Sequence, residues 1–194
     1  MGIGGSATCD GGRGMIEALG DCRCLDMDCR VIVACDVNNP LFGKNGAAYV
    51  FAPQKGATPE QVELLDGRLR AFAKETEQTG RATPELALSP GAGAAGGLGY
   101  ALLAYLNAEL HSGIDIMLDI ADFDAVIKDA DLVITGEGKS DGQTLMGKVP
   151  HGVLKRCQEA NVPVWLLSGM VDDATGRLAE NFDVVRSINE GETR

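Results

Sequence analysis

Three short apolar runs constrain the fold more than any other feature of the chain: "RVIVAC" (Arg30 to Cys35), "DLVIT" (Asp131 to Thr135) and "VPVWLLS" (Val162 to Ser168). Each is rich in branched residues, and none alternates strictly between apolar and polar positions. Strands that read this way are covered on both faces, the habit of parallel sheets. Amphipathic helical stretches fall between them. Thr58-Pro59-Glu60-Gln61 supplies an N-cap, a proline at the first helical position and a capping-box partner, and Gly80 ends the run. Val62, Leu65, Leu69 and Phe72 then share one face of that helix. Further helices are predicted from Gly97 to Leu110, from Phe123 to Ala130 with Asp122 as cap, and after Pro150, the last with Val153, Leu154, Cys157 and Ala160 inward. Strands alternating with helices predict an α/β fold: a mostly parallel sheet flanked by helices, the three runs being neighbours or near neighbours in it. Residues 1–194 are read as a single α/β unit.

In open α/β sheets ligands sit beyond the carboxyl ends of the strands, and the unusual residues of this chain follow its strands. "RVIVAC" runs into "DVNNPLFGKNGA", which places Asp36 at the strand end, followed by Asn38, Asn39, Pro40, Gly43 and Lys44. "DLVIT" runs into "GEGKSDGQT", which puts Glu137 and Asp141 among Gly136, Gly138 and Gly142. Asp36, Glu137 and Asp141 are therefore expected on one side of the sheet. Two more glycine-rich stretches, "GIGGSATCDGG" (Gly2 to Gly12) and "SPGAGAAGGLG", complete four places where bare backbone N–H groups can converge on anionic oxygens, helped by helix N-termini. Such loops suit phosphate. Carboxylates beside phosphate need either a cation between them or a hydroxyl proton to take, and Mg²⁺ and an alcohol nucleophile meet those needs in turn. Both belong to phosphoryl transfer, in which Lys44 and Lys148 could neutralise developing charge. The plainer alternatives are that Asp36 caps a turn, that Glu137 and Asp141 are solvated loop charges, and that the glycines are structural. His111 and His151 are read as surface or packing residues.

A net charge of −11 speaks against nucleic acid or an anionic membrane as partner, because phosphate contacts need clustered Lys and Arg. No apolar run approaches the roughly 18 to 20 residues that span a bilayer, and no signal-peptide pattern opens the chain, so a cytoplasmic location is expected. Of the six cysteines, Cys22, Cys24, Cys29 and Cys35 follow no regular zinc spacing and are read as free thiols, with Cys22 to Cys29 a loop. Gly2-x-Gly4-x-x-Ala7 loosely fits a dinucleotide fingerprint but follows no strand. Neither a G-x-S-x-G elbow nor a P-loop occurs.

Four blocks in order, "GIGGSATCDGGRGM", "ACDVNNPLFGKNGAAYVFAPQKGATPE", "PGAGAAGGLG" and "DLVITGEGKSDGQTLMGKVPHGV", resemble the class I glycerate kinases, bacterial enzymes that phosphorylate D-glycerate with ATP. The resemblance implies a two-domain Rossmann-like α/β enzyme using ATP and Mg²⁺, with this chain its central portion and about half its length. Cys9 stands where the family usually has Asn, and Arg13 where it has a small residue. Catalytic roles are expected of Asp10, Asp36 and Asp141. Substrate or phosphate binding is expected of Gly4, Gly5, Ser6, Thr8, Asn39, Gly93, Gly96, Gln143 and Lys148, and metal binding of Glu137 and Asp141. Sequence lying outside the chain at both ends would have supplied elements, so exposed apolar surface or self-association is expected. A fragment that binds glycerate or nucleotide without turnover, and a dinucleotide-dependent oxidoreductase domain, are the alternatives. The Glu137/Asp141 loop tells against the oxidoreductase, which has no evident need for paired carboxylates there.

Overall fold

All three branched runs are strands in the computed structural model, which describes residues 1–20 and 29–189. Cys22 and Cys24, and most of the loop predicted there, lie outside the described residues. The chain divides into two compact units, Met1–Gly113 and Ile114–Arg194.

In the first unit, β1 (Ile32–Ala34) pairs in parallel with β2 (Glu109–His111), Val33 opposite Leu110. Along the other edge of β1 runs the start of the chain: Gly2 bridges Ala34 in parallel, the Ala34 N–H donating to Met1 O at 2.7 Å. Helix α1 (Arg13–Leu19) precedes β1, and α2 (Ala47–Phe51), α3 (Pro59–Gln78) and α4 (Ala94–Leu106) lie between β1 and β2. The capping box of α3 forms as the sequence requires: Gln61 N–H donates to Thr58 Oγ1 at 3.3 Å and Thr58 N–H to Gln61 Oε1 at 2.8 Å. Its apolar stripe buries Val62, Leu69 and Phe72 against Leu41, Ala47, Ala48 and Tyr100, with Leu65 partly covered. The Phe72 ring meets Tyr100 edge-on at 5.8 Å, and Tyr100 donates to Ala73 O. Outside the core, Arg30 and Glu109 close the outer end of the β1–β2 pair at 2.7 Å. Arg30, and then His111, hold the Glu109 carboxyl down at about 2.

Helix α4 departs from expectation at both ends. It begins at Ala94, but Ala95, Gly96 and Gly97 have φ of 52°, 73° and 96°, so regular helix starts only after them. It stops at Leu106 rather than Leu110, because Asn107 turns left-handed (φ 47°), a conformation asparagine tolerates. The residues assigned to its last turn instead enter β2, the partner of β1 on the edge opposite the chain start.

In the second unit, β3 (Val133–Thr135), β5 (Val164–Ser168) and β7 (Val184–Ser187) form a parallel sheet in the order β3-β5-β7. The short β4 (Lys139–Ser140) and β6 (Met170–Val171) pair beside it. Helices α5 (Gly113–Ile120), which starts at the last residue of the first unit, α6 (Phe123–Ile127), α7 (Val149–Ala160) and α8 (Arg177–Asn181) accompany these strands. The core gathers Ile127, Leu154, Cys157, Val164, Leu166 and Leu178, and burial pushes the Cys157 thiol up.

Three expectations need correction here. "RVIVAC" is no neighbour of the other two runs: it belongs to the β1–β2 sheet of the first unit, whereas "DLVIT" and "VPVWLLS" pair as β3 and β5. Local pattern reports that a strand is buried and says nothing of which sheet receives it. Asp122 does not cap α6 with its side chain; it is left-handed (φ 49°), and its carbonyl accepts the N–H groups of Ala125 and Val126. The helix ends at Ile127, short of Ala130, and Ala160 on α7 is exposed.

The β3-β5-β7 sheet is not covered evenly. Val164, Leu166 and Ser168 point into the core, while Ile134 and Trp165, opposite each other across β3 and β5, are 57% and 39% exposed. Leu166→Ala is expected to destabilise the protein by about 2 to 5 kcal/mol in urea unfolding, as a large-to-small change at a fully buried site does. Trp165→Ala, one residue away on the open face, is expected to cost clearly less.

Candidate active site

The carboxyl ends of the first unit's strands open onto a cavity of about 550 Å³. Its wall carries Gly4, Gly5 and Ser6, leaving the chain segment paired with β1; Asp36, two residues past the end of β1; Gln54 and Lys55, from the 3-10 turn Pro53–Lys55; and Ala94 to Gly96 at the start of α4. Parallel pairing produces the convergence: segments running the same way end at the same edge.

The glycines divide by what surrounds them. A side chain on Gly4 or Gly5 would meet nothing within 4 Å, so their backbone is open. At Gly96 an added Cβ would stand 2.1 Å from Thr8 O, and at Gly93 2.2 Å from Pro40 O. These two are glycine because two loops touch there. The Gly93 N–H donates to Asn39 O at 2.8 Å, and Gly96 O accepts from Gly11 N–H at 3.0 Å, so the Gly93 amide is already engaged within the protein.

The aspartates also separate. Asp36 is on the cavity wall, its Oδ1 accepting the Gly113 N–H at 2.7 Å where α5 begins. Asp10 is elsewhere: both of its oxygens accept backbone N–H groups, Gly12 and Gly14, each at 3.1 Å, and so tie down the start of α1. It borders a different cavity, with Cys9, Arg13, Leu65 and Phe72. Arg13 pairs there with Glu75 at 2.8 Å and lies over the Phe72 ring. Burial pushes the Cys9 thiol up. Asn39 donates to Asn45 O at 2.8 Å and so holds its own loop, while Lys44 is exposed. Ser6 and Thr8 meet at a residue that the motifs did not single out: the Lys55 ammonium donates to Ser6 Oγ at 2.8 Å and to Thr8 O at 2.6 Å.

In the second unit a separate group forms where β3 and β5 end. Thr144 donates to Glu137 Oε1 at 2.5 Å and Ser140 to the same oxygen at 3.0 Å. A hydroxyl has one hydrogen to give, so Ser168, 2.6 Å from Ser140 Oγ, must donate to it. These three hydroxyls are essentially inaccessible to solvent. Thr144 Oγ1 also accepts the Asp141 N–H at 3.0 Å, and Asp141 Oδ1 accepts the Gln143 N–H at 2.9 Å. Lys148, just before α7, brings Nζ to 3.8 Å from Glu137 Oε2 and 4.0 Å from Asp141 Oδ1. Glu137, Asp141, Gln143 and Lys148 thus lie together, while Asp36, expected on the same side of the sheet as Glu137 and Asp141, belongs to the first unit. The buried hydroxyls that position Glu137 were passed over, although Ser140 and Thr144 stand in the same motif. Among the described residues no group of three or more His, Cys, Asp or Glu side chains is arranged to hold a metal. Cys9, Cys29, Cys35 and Cys157 are free thiols, and among the described residues no helix is long and apolar enough to cross a membrane.

Because Asp10 serves the backbone with both oxygens, Asp10→Ala is expected to lower unfolding free energy by about 1 kcal/mol, the usual cost of a lost helix cap, as read by chemical denaturation. A catalytic Asp10 would instead leave stability unchanged and abolish turnover.

Comparison with known proteins gives this geometry a family. The family model described as the glycerate kinase family matches residues 23–194. The glycerate kinase of Bacillus subtilis (strain 168) is 43% identical, the match covering 98% of this chain and 57% of that protein. The glycerate 2-kinase of Escherichia coli (strain K12) is 40% identical over 97% of this chain and 56% of its own. A crystal structure from Salmonella typhimurium LT2, assigned by name to glycerate kinase 2, superposes with a TM-score of 0.77 at 41% identity, over 95% of this chain and 55% of that one. The chain therefore spans about half the length of the curated relatives it matches. None of these relatives is named as an oxidoreductase, which leaves the dinucleotide alternative without support. A family match over nearly nine-tenths of the sequence, joined to this shared fold, means that the chain belongs to the glycerate kinase family.

Proposed function

We propose that the protein carrying this sequence transfers the terminal phosphoryl group of ATP to a hydroxyl of D-glycerate, giving phosphoglycerate, in a Mg²⁺-dependent reaction. The observation that carries the reading is the first unit's cavity. It joins open backbone at Gly4 and Gly5, a lysine and the carboxylate of Asp36 at the carboxyl end of parallel strands. Such a site offers one end to an anion and the other to a hydroxyl group. The relatives' names supply the substrate.

An alcohol is far too weak an acid to lose its proton unaided near neutrality, so a carboxylate within reach must take it as the phosphoryl group arrives. Asp36 suits that role, because Gly113 N–H holds one of its oxygens and leaves the other to the cavity. Phosphoryl transfer otherwise depends on positioning and on neutralising charge over the transferred oxygens. Lys148 supplies a positive charge beside Glu137 and Asp141. Mg²⁺ needs only one or two protein carboxylates when phosphate oxygens complete its shell, so two acids suffice without a larger cluster. Glu137 fits: its Oε1 is occupied by two hydroxyls, which fixes the carboxylate and leaves Oε2, 3.8 Å from Lys148 Nζ, without a hydrogen bond among the described residues. When bound, the ion would screen phosphate charge, with Glu137 and Asp141 as its protein ligands.

The test is a coupled ADP-release assay with D-glycerate, run on this 194-residue chain and on a protein of the relatives' full length that contains it. ADP release that requires both glycerate and Mg²⁺ supports the reading, and its absence from the longer protein sinks it. Identifying the product separates phosphorylation at carbon 2 from carbon 3. In the longer protein Asp36→Asn is expected to lower kcat by about 10² to 10⁴ with little change in KM for glycerate. Glu137→Gln is expected to raise the Mg²⁺ concentration needed for half-maximal rate; an unchanged Mg²⁺ dependence would remove Glu137 from the metal site.

A further inference from the structure

We infer that Lys55 recognises the carboxylate of the bound hydroxy acid, opposing Asp36 so that the cavity reads an anionic end and a hydroxyl end of one small molecule. The inference rests on the functional reading above and adds the residue that decides which small alcohol enters.

The state of the Lys55 charge carries the argument. Three arginines of the first unit are matched by carboxylates: Arg13 by Glu75, Arg30 by Glu109 and Arg70 by Asp66. Among the described residues the Lys55 ammonium is held by two neutral oxygens, Ser6 Oγ and Thr8 O. Neutral acceptors fix the position of a charge without cancelling it. An ammonium has three hydrogens, and these two bonds leave the third for a ligand. Among the described residues Lys55 is also the single cationic side chain on the wall of the 550 Å³ cavity. In a chain of net charge −11 an anionic ligand is repelled at long range, so a local cation is required to hold it.

The surroundings of Lys55 leave room for a carboxylate to approach it. Gly4 and Gly5 add open backbone beside Ser6, so an oxygen of the ligand can approach the main chain as well as the ammonium. Asp36, the one carboxylate on the wall among the described residues, would repel an acid group, which orients the ligand with its hydroxyls toward Asp36 and its carboxylate toward Lys55. The segment that carries Lys55 is built to keep it there. Pro53 starts the 3-10 turn, Gly56 ends it with φ 93°, and the Thr58 cap starts α3 two residues later.

The experiment is isothermal titration of the 194-residue chain with D-glycerate, with glycerol, which has a CH₂OH in place of the carboxylate, and with inorganic phosphate. The unaltered chain is expected to prefer D-glycerate to glycerol by about tenfold or more, the range of a hydrogen bond to a charged group. Lys55→Gln keeps an N–H donor for the Thr8 carbonyl but removes the charge, and should abolish that preference while glycerol binding stays as it was. Lys55→Arg should restore part of it. Amide shifts of residues 4–8 in the Gln variant report whether the loop has stayed in place. A Gln variant that still prefers glycerate overturns the inference, as does an unaltered chain that binds glycerol equally well or binds no D-glycerate. Lys55-dependent binding of phosphate alone would reassign the residue to the phosphoryl group and overturn the carboxylate assignment. Failure of the kinase reading looks different: Lys55-dependent preference for glycerate would persist while the longer protein released no ADP.

Discussion

The first unit depends on one close approach, that of the "GIGGSATCDGG" loop to the "SPGAGAAGGLG" loop. Gly96 lies so near Thr8 that any side chain would overlap a carbonyl oxygen, and the pair is fastened by the Gly11 N–H to Gly96 O bond at 3.0 Å. Both loops then form walls of the same cavity, and the left-handed stretch from Ala95 to Gly97 is the backbone's way of reaching that contact before α4 begins. Holding a non-glycine residue such as Ala95 at φ 52° costs on the order of 1 kcal/mol or more, and it persists because the surrounding contacts over-determine it. Glycine at Gly96 thus serves loop-to-loop contact, whereas at Gly4 and Gly5 it serves open space.

Charge is handled in the same frugal manner in both units: an acidic chain keeps a few side chains fixed by neutral partners. Lys55 is held by a hydroxyl and a carbonyl, and Glu137 by the hydroxyls of Ser140 and Thr144, with Ser168 behind. A carboxylate partner would hold Lys55 as well but would cancel the field that a ligand must feel, whereas Glu137 keeps Lys148 3.8 Å from its second oxygen. Buried hydroxyls are tolerable only when every hydrogen has an acceptor, and the chain from Ser168 through Ser140 to Glu137 satisfies that condition. Asp10 and Asp36 illustrate the same economy in different measure. One carboxylate is given wholly to backbone N–H groups; the other gives them a single oxygen.

Parallel strand pairing makes this arrangement accessible. Each unit ends its strands at one edge, and the residues that follow them converge there by direction alone: Gly4 to Ser6 and Asp36 in one sheet, Glu137 and Ser168 in the other. The Ile134 and Trp165 pair shows the remaining demand of such sheets, a second covered face, left open on this side.

Much of this was legible without coordinates. Branched runs without alternation identified β1, β3 and β5, the Thr58 to Gln61 capping box located α3, and the loop after "DLVIT" named the residues that gather around Lys148. These are local matters of propensity, capping and spacing, and the sequence by itself determined them. The tertiary structure alone decided the rest. β2 escaped because three residues after a helix have no strand signature until β1 offers them a parallel partner, and the separation of β1 from β3 and β5 is a choice between sheets that no local pattern encodes. Asp10 and Asp36 look alike in sequence, each an acid beside a glycine or asparagine loop, and differ only in how many backbone N–H groups the fold brings to them. Lys55 was hidden for the same reason: its bonds to Ser6 and Thr8 cross 49 and 47 positions of chain, and hydrogen-bond partners at that separation are set by packing.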